Sequence, residues 1–74
     1  MDFEYDKKMG GQIRKLRLQR GLSQEALAAQ LQTHNCDITR SALAKIEVGQ
    51  RHIYSDEIKL LRELLDIPYE GLFV

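Results

Sequence analysis

The stretch from Gly21 to Arg51, GLSQEALAAQLQTHNCDITRSALAKIEVGQR, carries two helix start signals sixteen residues apart, and the rest of the chain has to be arranged around them. Ser23 is placed to cap the free N–H groups of a first helix, on which Ala26, Leu27 and Leu31 recur at helical spacing. Thr39 is placed to cap a second, whose buried stripe is Ala42, Leu43 and Ile46 and whose stop is Gly49, a residue suited to a left-handed turn. Two short helices joined by a turn cannot bury their apolar faces alone. The flanking segments must therefore complete a bundle, and the expected fold is all-α, about five short helices in one compact unit.

A first helix is expected to begin between Lys7 and Gly11 and to run to Arg20, contributing Met9, Ile13, Leu16 and, just beyond it, Leu22 to the core; Gly21 ends it. Ser55 reads as the cap of a later helix with Asp56 and Glu57 in its first turn, where the macrodipole favours acids. That helix carries one apolar face of Ile58, Leu61 and Leu65 and another of Leu60, Leu64 and Ile67. Pro68 stops it, and Tyr69 to Phe73 reads as a short fifth helix covering the second face. Residues 1–8, MDFEYDKK, read as an N-terminal arm, extended, stranded or disordered, and residues 9–74 as one domain with its two-helix core at about 23–48.

The chain has 74 residues and formal net charge zero. Such a length gives one domain with a small core and no room for a water-excluding catalytic cavity. The charges are segregated. Residues 1–6 carry three acids and no base, residues 7–51 nine Lys and Arg against Glu25, Asp37 and Glu47, and residues 52–74 two bases against five acids. The basic excess thus falls on the two-helix stretch, as it would if that part faced an anionic partner. Lone Cys36 gives no disulfide framework, and no run is apolar enough for a membrane span or signal peptide, so the expected setting is the cytosol. Two capped helices in a basic stretch are the plan of a helix-turn-helix DNA reader.

Two charges break the helical pattern. Arg17 stands four residues after Ile13, and Glu47 four after Leu43, so each projects from the apolar side of its helix. A lone buried charge is costly, whereas opposite charges satisfy each other. Arg17 and Glu47 are therefore expected to form a structural ion pair tying helix 1 to the third helix, with neither touching DNA.

The segment 33–38, THNCDI, is longer than the usual turn of the motif. With only Cys36, His34 and His52 as soft ligands, no closed four-ligand Cys/His zinc site can form within one chain; no metal, cofactor or catalytic group is expected. After Gly49 comes QRHIYS, in which Arg51, His52 and Tyr54 are compatible either with contact to a DNA backbone or with a plain loop around a buried Ile53.

IRKLR from Ile13 to Arg17, GLSQEALA from Gly21 to Ala28, TRSALAKIEVGQR from Thr39 to Arg51 and the closing LDIPYEGLF occur in order, and together the sequence resembles the lambda-repressor/Cro-like, XRE-type helix-turn-helix family from about Gly11 to Phe73. The lengthened turn is the one departure. The resemblance implies Ser23 to Gln32 as a positioning helix and Thr39 to Val48 as a recognition helix in the major groove. It implies Arg40, Ser41, Ala44 and Lys45 as base readers, since a guanidinium suits guanine N7 and O6 and a small alanine admits a thymine methyl. Ser23, Gln24, Thr39, Gln50, Arg51, His52 and Tyr54 are then the expected phosphate contacts. The implied protein is a transcriptional regulator of prokaryotic or phage type, most often a repressor, binding a pseudo-palindromic double-stranded operator as a homodimer through Leu60, Leu64, Leu72 and Phe73 or through Phe3 and Tyr5. The alternative use of the same fold is a protein-interaction module, antitoxin-like or an anti-repressor, for which zero net charge and the two-faced helix 4 speak.

Overall fold

The computed structural model describes residues 3–66. These form four helices: α1 (Phe3–Gln19), α2 (Gln24–Thr33), α3 (Arg40–Glu47) and α4 (Ser55–Leu64), with no strand among the described residues. The short fifth helix expected at Tyr69 to Phe73 lies outside them, as do Leu72 and Phe73 of the expected dimer surface.

Met9 and Ile13 of α1, Leu27 and Leu31 of α2, Leu43 and Ile46 of α3, and Leu61 of α4 meet in one core with Ile38, Ile53 and Leu65 from the connections. Leu16, Leu22, Ala42, Ile58, Leu60 and Leu64 pack around it, partly buried. Leu60 and Leu64, read as a second face of α4 to be covered by a fifth helix or a partner, are partly buried and pack against this core. α3 lies against both α1 and α2.

α1 starts at Phe3, so residues 3–8 extend the helix and are not an arm. The apolar stripe simply continues toward the N-terminus: Tyr5 is partly buried on the core and Asp6, three before Met9, is 4% exposed. Glu4 and Asp6 in the first turn also suit the helix dipole. The interior glycine Gly10 has a steric reason. A Cβ there would lie 1.9 Å from the Ile46 carbonyl oxygen, so only a glycine lets α1 pass this close to the last turn of α3.

One device ends the first three helices. In each, the second residue past the C-cap donates its N–H back over the last turn: Leu22 to the Arg17 carbonyl at 3.1 Å, Cys36 to Leu31 at 3.0 Å and Gln50 to Lys45 at 2.8 Å. The partner bonds, which span fewer residues, run from Gly21 to Leu18, Asn35 to Gln32 and Gly49 to Ile46. This is the Schellman arrangement, with Gly21, Asn35 and Gly49 at φ of 69°, 63° and 80°. The lengthened turn follows from it: α2 runs on to Thr33, and Asn35 supplies the left-handed stop.

At α4 the N-cap is Tyr54, not Ser55, which is already the first helical residue. The end is closed from within the helix instead, because the Glu57 carboxylate accepts the Tyr54 N–H at 3.0 Å.

Candidate nucleic-acid interface

Ser23 and Thr39 both have extended backbones, and their hydroxyls accept the N–H of Ala26 at 3.0 Å and of Ala42 at 3.1 Å. Each hydroxyl is exposed and keeps its own proton to donate. These caps fix where α2 and α3 begin, and so which α3 residues face outward. Leu43, Ile46 and Glu47 are buried. Arg40, Ser41, Lys45 and Val48 are exposed and Ala44 is half-buried, so the four expected base readers share the outer side of α3. The side chains of Arg40 and Lys45 make no hydrogen bond or ion pair among the described residues, which leaves both cations available to an anionic partner.

The inner side of α3 is held by charge. Arg17 Nε donates to Glu47 Oε2 at 2.7 Å and its Nη2 to Oε1 at 2.9 Å, while Nη1 donates to the Leu22 carbonyl at 2.7 Å. Gln24 Nε2, from the first turn of α2, donates to Glu47 Oε1 at 3.1 Å. One carboxylate therefore joins α1, α2 and α3. Hydrogen bonding to Glu47 and its negative charge outweigh burial and raise the Arg17 guanidinium above its ordinary value, so the guanidinium keeps its charge. Gln24, expected on a phosphate, is half-buried with one amide N–H turned inward; the second N–H of the same nitrogen is what remains for an outside acceptor.

The loop after α3 is knit together rather than spread outward. Arg51 grips Glu57 with two hydrogen bonds, both 3.1 Å, and its Nη1 also donates to the His52 carbonyl. Its guanidinium sits 5.9 Å from the centre of the Tyr54 ring, and His52 meets that ring edge-on at 5.3 Å. His52 Nδ1 lies 3.1 Å from Asp6 Oδ1, tying the loop to the first turn of α1. Burial raises the Glu57 carboxyl, but the hydrogen bonds from Arg51 and Tyr54 and the nearby positive charge bring it below its ordinary value. The same contact with Glu57 raises Arg51 against the effect of burial. Of the expected phosphate contacts, Ser23, Thr39, Gln50, His52 and Tyr54 are exposed, while Gln24 and Arg51 are half-buried and engaged.

Sequence reasoning missed Asp6, Gly10 and Val48. Asp6 was legible as an acid on the apolar stripe of Met9 and Ile13, and Gly10 as a glycine interrupting a helical period. Val48 was legible as an aliphatic residue two turns after Ser41. Around His34, Cys36 and Asp37 the chain forms a polar turn, with His34 Nδ1 2.9 Å from the Gln30 carbonyl. Among the described residues no group of three or more His, Cys, Asp and Glu is placed to hold a metal ion, and no helix is long and apolar enough to cross a membrane.

A capped positioning helix, a turn and a second capped helix with a polar outer face define a helix-turn-helix protein. The helix-turn-helix family model HTH_3 matches residues 13–72, and the chain belongs to this XRE-type family. No curated protein matches it. Among solved structures it is similar to the DNA-binding domain of BldD, with 23% identity over the whole of both chains and a TM-score of 0.82. The S. venezulae BldD DNA-binding domain gives 22% identity, 96% and 99% coverage and a TM-score of 0.78. The restriction-modification controller protein C.AhdI from Aeromonas hydrophila is 34% identical over 96% of each chain, with a TM-score of 0.79.

Proposed function

We propose that this chain is a sequence-specific, double-stranded DNA-binding transcriptional regulator that acts as a homodimeric repressor on a pseudo-palindromic operator. The observation that carries this reading is the outer side of α3: Arg40, Ser41 and Lys45 exposed together on a helix whose inner side is fixed by Glu47 to both neighbours. In the reading, α3 enters the major groove, Arg40 bonds a guanine edge, Ser41 and Lys45 contact neighbouring bases, and Ala44 faces a thymine methyl. Ser23, Thr39 and Gln50, with the outward N–H of Gln24, bond phosphates and set the register; Tyr54 and His52 flank them, and Arg51 acts by holding the loop against α4. Two copies read two half-sites about 34 Å apart, and an occupied operator blocks the polymerase. The similarity to a controller protein and to a DNA-binding domain supports this reading.

Enrichment from a pool of random duplex DNA at two salt concentrations tests it. One pseudo-palindromic sequence should survive the higher salt. Binding without enrichment, falling away with salt, would leave only phosphate attraction and favour the protein-interaction module.

A further inference from the structure

We infer that Val48 is a specificity-determining residue that packs against the 5-methyl group of a thymine at the C-terminal end of the recognition helix. The inference rests on the reading of α3 as the groove-entering helix and adds a base contact to it. Val48 is 56% exposed, although Leu43, Ile46 and Ile53, the large aliphatic residues on either side of it in the sequence, are almost wholly buried. It stands seven residues after Ser41 and four after Ala44, so the three lie one above another along the outer side of α3 and its cap, with exposed Lys45 beside them. Ala44 and Val48 thus form an apolar strip flanked by groups that hydrogen-bond.

Val48 cannot turn inward. The next residue, Gly49, is buried at a φ of 80°, and a Cβ there would lie 2.7 Å from the Lys7 Cα, so the chain beyond Val48 is wedged under α1. The bonds from Gly49 to Ile46 and from Gln50 to Lys45 close the helix end around it. A valine so held has one dominant rotamer and little entropy to lose on contact. It neither donates nor accepts a hydrogen bond, and of the groups that base pairs show in the major groove only the thymine methyl is apolar. An exposed valine in this position adds nothing to the core. It does supply what Arg40, Ser41 and Lys45 lack, a surface that prefers thymine to cytosine without a hydrogen bond.

The test replaces each thymine of the enriched sequence by deoxyuridine, which removes only the methyl group, and compares wild type with Val48→Ala. Because the side chain is exposed, Val48→Ala should melt as wild type does. At one thymine per half-site, deoxyuridine should weaken the wild-type protein roughly fourfold for each half-site substituted, the loss expected for one buried methyl group, and should leave Val48→Ala unaffected. Penalties that are the same in both proteins at every thymine, including the one that Ala44 faces, or no penalty at all, would overturn the inference while leaving the regulator reading intact. Failure of the wild type to enrich any sequence would remove the reading itself and the inference with it.

Discussion

Arg17 and Glu47, thirty positions apart, meet through hydrogen bonds of 2.7 and 2.9 Å with only 7% and 1% of their side chains exposed. Glu47 sits on the buried side of α3, whose exposed side carries Arg40, Ser41 and Lys45. The effect of the pair is to fix the angle at which that exposed side is presented, because a displaced α3 would strand a buried carboxylate.

Breaking the pair from one side should therefore cost more than removing it whole. Glu47→Ala is expected to lower unfolding free energy by about 3 kcal/mol, since it leaves the Arg17 guanidinium buried and unpaired. Glu47→Lys should be worse. The double variant Arg17→Met, Glu47→Leu should recover much of the loss, as buried ion pairs replaced by apolar groups commonly do. Urea unfolding of the four proteins ranks their stabilities; equal stability of wild type and Glu47→Lys would remove the pair from any structural role.

Two adjacent glycines of α1 should respond with opposite sign. Gly11 faces open space, so Gly11→Ala gains helix propensity and should stabilise by about 0.5–1 kcal/mol. Gly10→Ala makes the same propensity gain but drives a methyl into the Ile46 carbonyl. It should destabilise and shift α3, weakening DNA binding as well. Thermal melts of both variants decide this, and stabilisation by Gly10→Ala would show that α1 and α3 are not in contact at that point.

Much of this architecture is legible in the residues, because capping and periodicity are local. Ser23, Thr39, Gly21 and Gly49 mark the ends of α1 to α3, and Arg17 and Glu47 betray their pairing by standing on apolar stripes. The misreadings come from contacts between distant segments. Asp6 looks like part of an acidic tail until His52 closes on it, and Arg51 looks free for phosphate until Glu57, six residues on, takes both ends of its guanidinium. Ser55 resembles a cap only because the actual closure, Glu57 reaching back to the Tyr54 N–H, involves a tyrosine with no cap signature.

Glu57 should make part of the stability pH-dependent. Its carboxyl lies below the ordinary value of 4.5 in the folded protein, so the unfolded chain takes up the proton first as pH falls. The contribution is complete above that value and is lost as pH drops through the lower folded value. Wild type should lose more stability than Glu57→Gln between about pH 5 and pH 3. Parallel acid limbs in a urea series at several pH values would contradict the Arg51–Glu57 lock.

If the outer side of α3 reads bases, the sequence preference of Arg40→Ala must differ from that of the wild type. Selection from random duplex DNA with wild type and with this variant gives a preference at every operator position. Arg40→Ala, folded as wild type, should lose discrimination at a guanine in each half-site and keep the rest, a change of about 1–3 kcal/mol confined to that base pair. An unchanged preference at every position, with affinity reduced uniformly, would place Arg40 on the phosphate backbone and contradict the reading of α3 as the helix in the groove.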